Sequence, residues 1–112
     1  MSSNPFIRKK FATVPGRDRV VCQTPTPGKQ PVSIDAWKYE VVRDAVLAVL
    51  PVDGPGVRFQ DLPGLIASQM APDAIGQLGS LSWYATTVKL DLEVRGLVRR
   101  LPGSPQRLVR RA

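Results

Sequence analysis

GSLSWYATTVKLDLEVRGLVRR, Gly79 to Arg100, decides the fold of this 112-residue chain. Ser80 or Ser82 is the expected N-cap, and Gly96 stands where a helix commonly ends in a left-handed residue. At about 100° per residue, Leu81, Ala85, Val88 and Leu92 fall on one face and Trp83, Leu90, Val94 and Leu97 on another. The spacing therefore predicts a helix ending at Arg95 and gripped on two sides. Ser82, Thr86, Lys89 and Glu93 are left as a narrow polar strip turned outward.

Downstream, Leu97 to Leu101 reads as a short strand, Pro102-Gly103-Ser104-Pro105 as a turn, and Gln106 to Arg110 as a returning strand. Upstream, a first helix is expected over Ile34 to Leu50, capped by Ser33 and stopped by Pro51. Tyr39, Val42, Val46 and Val49 form one apolar stripe on it, and Trp37, Val41, Ala45 and Ala48 a second. Val57-Arg58-Phe59 suits a very short strand. A second helix is expected from the cap Asp61, burying Leu62, Leu65, Ile66 and Met70 and ending at Ala71-Pro72-Asp73. Ala74 to Gly79 reads as a linker. Residues 1–32, rich in Pro, Gly, Ser, Thr and Lys, read as a flexible N-terminal arm in which only Arg19 to Gln23 suits a strand. The domain proper is assigned to residues 33–112.

Composition narrows the function classes. No apolar run approaches the ~20 residues needed to span a bilayer, and the basic residues Arg8, Lys9 and Lys10 are not followed by an apolar signal-peptide core, so a cytoplasmic protein is expected. With one cysteine and no histidine, the usual zinc ligand sets and His-dependent triads are missing. The nine carboxylates are scattered. Neither an enzyme, a cofactor nor a metal site is expected.

The net charge of +7 is unevenly spread. Arg8, Lys9, Lys10, Arg17, Arg19 and Lys29 face the single acid Asp18 in residues 1–33. Residues 34–97 hold five bases against eight acids, and residues 98–112 hold Arg99, Arg100, Arg107, Arg110 and Arg111 with no acid. Two basic ends flank an acidic middle. A polyanion is the matching partner.

Three helices followed by a two-stranded hairpin, with a short strand between the first and second, resembles the element order of a winged helix-turn-helix domain. LDLEVRGLVRR is similar to the helix-to-wing junction of many bacterial regulators. The stretch from DAWKYEVVRDAVLAVLP through GSLSWYATTVKLDLEVRGLVRR to PQRL is similar to a family of small uncharacterised bacterial proteins carrying a domain of unknown function. The resemblance implies an α+β winged-helix fold, a three-helix bundle with a small C-terminal β-hairpin wing, and no established activity.

Carried to mechanism, the resemblance implies a DNA-binding module. The third helix would lie in a major groove, with Ser82, Thr86 and Lys89 toward the bases and Tyr84 and Thr87 near phosphates. Arg99, Arg100, Arg107, Arg110 and Arg111 would contact phosphate from the wing, and Arg8, Lys9 and Lys10 from the arm. Against base reading, the helix has no Arg before Arg95 and no Asn or Gln, and it carries Asp91 and Glu93. The alternative is a protein-interaction or homodimerisation module using the surface around Trp37, Trp83 and Tyr84.

Overall fold

The long C-terminal helix forms between its two punctuation residues. In the computed structural model, which describes residues 18–112, this helix covers Leu81–Val94. The Ser80 hydroxyl accepts from the Trp83 N–H at 3.2 Å. Gly96, just past the end, has φ +79°, a conformation that only glycine takes without strain.

In chain order the elements are β1 (Arg19–Cys22), β2 (Val32–Asp35), α1 (Ala36–Val49), β3 (Val57–Arg58), α2 (Leu62–Ala67), α3 (Pro72–Leu78), α4 (Leu81–Val94), β4 (Val98–Arg100) and β5 (Arg107–Arg110). A single 3-10 turn, Phe59–Asp61, leads into α2. The fold is thus α+β, with four helices and two small antiparallel sheets among the described residues: β1-β2, and a three-stranded sheet in the order β3-β5-β4.

The core lies where α1, α2 and α4 meet. Val42, Val46, Leu62, Ile66, Leu78, Ala85, Val88 and Leu92 are fully enclosed there. Leu108 of β5 and Val98 of β4 close it from the sheet side. At roughly 1.5–3 kcal/mol for each large apolar side chain removed from water, this cluster is the main source of stability.

Four local expectations are corrected. Ser33 does not cap α1. Val32 to Asp35 is instead extended and pairs with β1 in the register Arg19↔Asp35 through Cys22↔Val32. Arg19 supplies the reason, since its guanidinium donates to the Ser33 hydroxyl and pairs with Asp35, so the capping groups are engaged across the hairpin. The arm therefore contributes structure from Asp18 onward, and its first 17 positions, with Arg8, Lys9 and Lys10, lie outside the described residues.

Ala74 to Gly79 is helical rather than a linker. Pro72 starts α3 at its first turn, where its missing N–H costs nothing, and Ala74 and Leu78, four apart, are buried. Leu65, expected inside, is 37 % exposed because α2 ends after Ala67 and only Leu62 and Ile66 face the core. Ala48 is exposed too, so the second stripe of α1 is buried only at Trp37 and Ala45.

The turn before β3 passes close to β5. Gly56 has φ +75°, and a Cβ there would stand 2.6 Å from the Leu108 carbonyl oxygen. Gly54 has φ +82° but open space around it. Gly54→Ala should therefore cost about 1–2 kcal/mol, the left-handed penalty alone. Gly56→Ala should cost at least about 1 kcal/mol more, because backbone must move. Urea denaturation of the two variants checks this, and equal losses would show that the close approach is not a constraint.

Candidate nucleic-acid interface

Charged residues on α4 are committed to the interior on two opposite sides. On one side Lys89, 1 % exposed, donates to Glu93 at 2.6 Å and to the Gln106 side chain at 3.0 Å, and lies 4.8 Å from the Phe59 ring centroid. Burial pulls its pKa below the ordinary lysine value, and Glu93 partly offsets this. On the other side the fully enclosed Asp91 accepts from the Tyr39 hydroxyl at 2.6 Å, the Arg95 Nε at 2.6 Å and the Gln23 backbone N–H at 2.9 Å. Burial, and then the hydrogen bond to Asp91, raise the Tyr39 pKa. The same carboxylate holds Arg95 more firmly protonated.

This placement overturns the outward strip. Lys89 is expected at the bases and is found inside, because a 3.6-residue period puts it beside Val88 and Ala85 on the side that receives the wing turn. Ser82 is exposed and Thr86 half-buried. Thr87 lines a cleft against the β1–β2 turn and is not turned toward a groove. Trp83 is not gripped: it is 44 % exposed and packs edge-on against Tyr84, with ring centroids 4.8 Å apart. The Lys38 ammonium lies 5.1 Å from the Tyr84 ring centroid.

The β3-β5-β4 sheet carries five arginines, of which Arg99, Arg107 and Arg110 have no ion pair among the described residues. Side chains alternate between faces along a strand, and directly paired residues share a face. Val57 pairs with Leu108, and Arg58 with Arg107. Val98 pairs with Arg110, Arg99 with Val109, and Arg100 with Leu108. Val57, Val98, Arg100, Leu108 and Arg110 therefore face the helices, and Arg58, Arg99, Arg107 and Val109 the opposite side. Val109 is 1 % exposed yet outside the helical core, and Arg99 and Arg107 flank it. Arginine stems cover such a residue while their heads stay in water.

Of the five wing arginines expected to act together, the sheet thus brings Arg99 and Arg107 onto one face and adds Arg58. Like charges directly opposite, such as Arg58 and Arg107, repel. Asp61 lies 3.4 Å from Arg58, whereas Arg99 and Arg107 have no ion pair among the described residues. Arg100, on the helix side, stands 3.6 Å from Glu93. Arg110 is oriented by backbone, donating to the Leu50 carbonyl at 3.1 Å and the Arg111 carbonyl at 3.2 Å. With Arg99, Arg111, Val52 and Gly96 it borders a notch of about 310 Å³ at the edge of the sheet.

Among the described residues no helix is long and apolar enough to cross a membrane, and no group of His, Cys, Asp and Glu could hold a metal ion. Residues 19–108 match the model of a family described as "Family of unknown function (DUF6958)". Comparison with curated proteins and with solved structures gives no match.

The Asp91 centre has a pH signature at its neighbour. Cys22 is buried, and its pKa is pushed up to about 11, first by burial and then by the Asp91 charge. A thiol whose pKa is higher folded than unfolded favours the folded state below its unfolded value of about 8.5, and that contribution is lost as pH rises toward 11. Between pH 8 and 10.5, wild-type stability should fall by about 2 kcal/mol more than that of Cys22→Ala. Parallel urea-denaturation profiles would contradict this.

Proposed function

As the chain belongs to the DUF6958 family, whose description assigns no activity, we propose that it is a nucleic-acid-binding module of winged-helix type. It contacts the backbone of double-stranded DNA through the outer face and edge of its three-stranded sheet. The order α1, β3, α2, α3, α4, β4, β5 and the strand order β3-β5-β4 support the winged-helix reading, with the seven-residue α3 as an additional helix between α2 and α4.

One observation carries the functional reading: Arg58, Arg99 and Arg107, from three neighbouring strands, share one face that holds little opposing charge. Folding alone would not favour that apposition. Guanidinium groups bind phosphate oxygens through paired N–H donors, so a phosphate backbone is the ligand that relieves the repulsion. The α4 surface adds little positive charge, since Lys89 is internal and Arg95 is paired with Asp91. Binding is accordingly electrostatic and weakly sequence-selective.

A second reading rests on the exposed Trp83 and its contact with Tyr84. Aromatic side chains of this kind anchor protein interfaces. On that reading the surface around α4 takes a protein partner or a second copy of the chain, and salt has little effect.

Fluorescence anisotropy with a random-sequence duplex separates the two. The nucleic-acid reading expects log–log salt dependence with a slope of about −3 to −4. Arg99→Ala and Arg107→Ala should each weaken binding and reduce the slope by about 1, while Ser82→Ala and Thr86→Ala change neither. Absence of binding at low salt over a wide protein range overturns the reading.

A further inference from the structure

The β1–β2 hairpin covers the second side of α4 incompletely. Val32 is on the inward face of the hairpin, directly across from the buried Cys22, yet it is 38 % exposed. Among the described residues no side chain fills the space in front of it. Instead a cleft of about 190 Å³ lies there, bounded by Cys22 and Val32 on the hairpin, Thr87 and Leu90 on α4, and Thr24 and Lys29 on the connecting turn. Cys22, Val32 and Leu90 give the cleft an apolar floor, and its other lining residues, Gln23 and Gln30 among them, are polar, a mixture that suits a small ligand with one apolar and one polar end.

Among the described residues no carboxylate lines the cleft itself; Asp91, behind Cys22 and Gln23, is paired with Arg95, and the Cys22 thiol stays neutral at physiological pH because burial pushes its pKa up to about 11. Lys29 has no ion pair among the described residues. Its backbone N–H closes the turn onto Thr26 at 3.4 Å, and Lys29 is among the residues that line the cleft. The volume is below the roughly 300 Å³ at which drug-sized pockets begin, so a nucleotide is too large.

We infer that this cleft is a binding site for a small organic monoanion, a carboxylate with a compact apolar body that rests on Val32 and Leu90 and directs its charge to Lys29. The ligand would touch α4 directly at Thr87 and Leu90. It would also touch the segment that Asp91 holds to α4 through the Gln23 N–H. This inference is independent of the nucleic-acid reading.

Benzoate and benzyl alcohol, matched in shape and different in charge, are the probes, titrated into the ¹⁵N-labelled full chain with amide shifts as the readout. Benzoate should shift Gln23, Thr87 and Leu90 saturably, with a millimolar Kd, and benzyl alcohol should bind less tightly. Lys29→Met, at an exposed turn position that leaves the fold alone, should weaken benzoate roughly three- to tenfold, and Lys29→Arg should retain it. Three results would each overturn the inference: no saturable shift up to about 50 mM, equal affinity for the two probes, or unchanged benzoate affinity in Lys29→Met. Nucleic acid is absent from the experiment, so its outcome says nothing about duplex binding.

Discussion

A single buried carboxylate sets the arrangement of this domain. Asp91 has no exposed surface and accepts donors from three segments: Tyr39 of α1, the Gln23 backbone just after β1, and Arg95 at the end of its own helix. Such a charge is tolerated inside only while its partners remain, and removing one partner of a buried pair typically costs about 3–5 kcal/mol. The hairpin, the first helix and the last helix are thereby held as one body. Two residues away, on the opposite side of α4, Lys89 performs the corresponding task for the wing by reaching Glu93 and Gln106. The helix acts as an axle with a polar lock on either side of an apolar stripe formed by Ala85, Val88 and Leu92.

These locks determine where function can reside. A helix that uses Lys89, Asp91, Glu93 and Arg95 to hold its neighbours has little charge left for a ligand. The positive charge accessible to a polyanion is displaced onto the sheet, where strand alternation sends Val98 and Leu108 inward and Arg58, Arg99 and Arg107 outward. On the proposed reading, packing and ligand contact are thus allotted to opposite faces of the same three short strands.

Much of the frame was legible in the sequence. The Ser80 cap, the Gly96 stop and the paired apolar stripes specify α4, and the turn Pro102 to Pro105 specifies the hairpin, because each signal acts within a few residues. What depends on distant partners was not legible. Ser33 resembles a cap until Arg19, fourteen residues earlier, engages it. Lys89 resembles a surface residue, although Glu93 four positions on was a local sign of an ion pair that could be taken inside. Pro72 was read as ending a helix when it begins one. Arg58 escaped notice because a two-residue strand does not show which face its side chains take until its register with β5 is known.

The most direct test of this division of labour is a map of which residues sense a short random-sequence duplex, read from amide and guanidinium Nε–Hε shifts of the full chain at low salt. The account requires the largest perturbations at Arg58, Arg99 and Arg107, with the amides of Ser82 to Thr86 nearly unmoved. Perturbations concentrated on Ser82 to Thr86, with the outer face of the sheet silent, would contradict it.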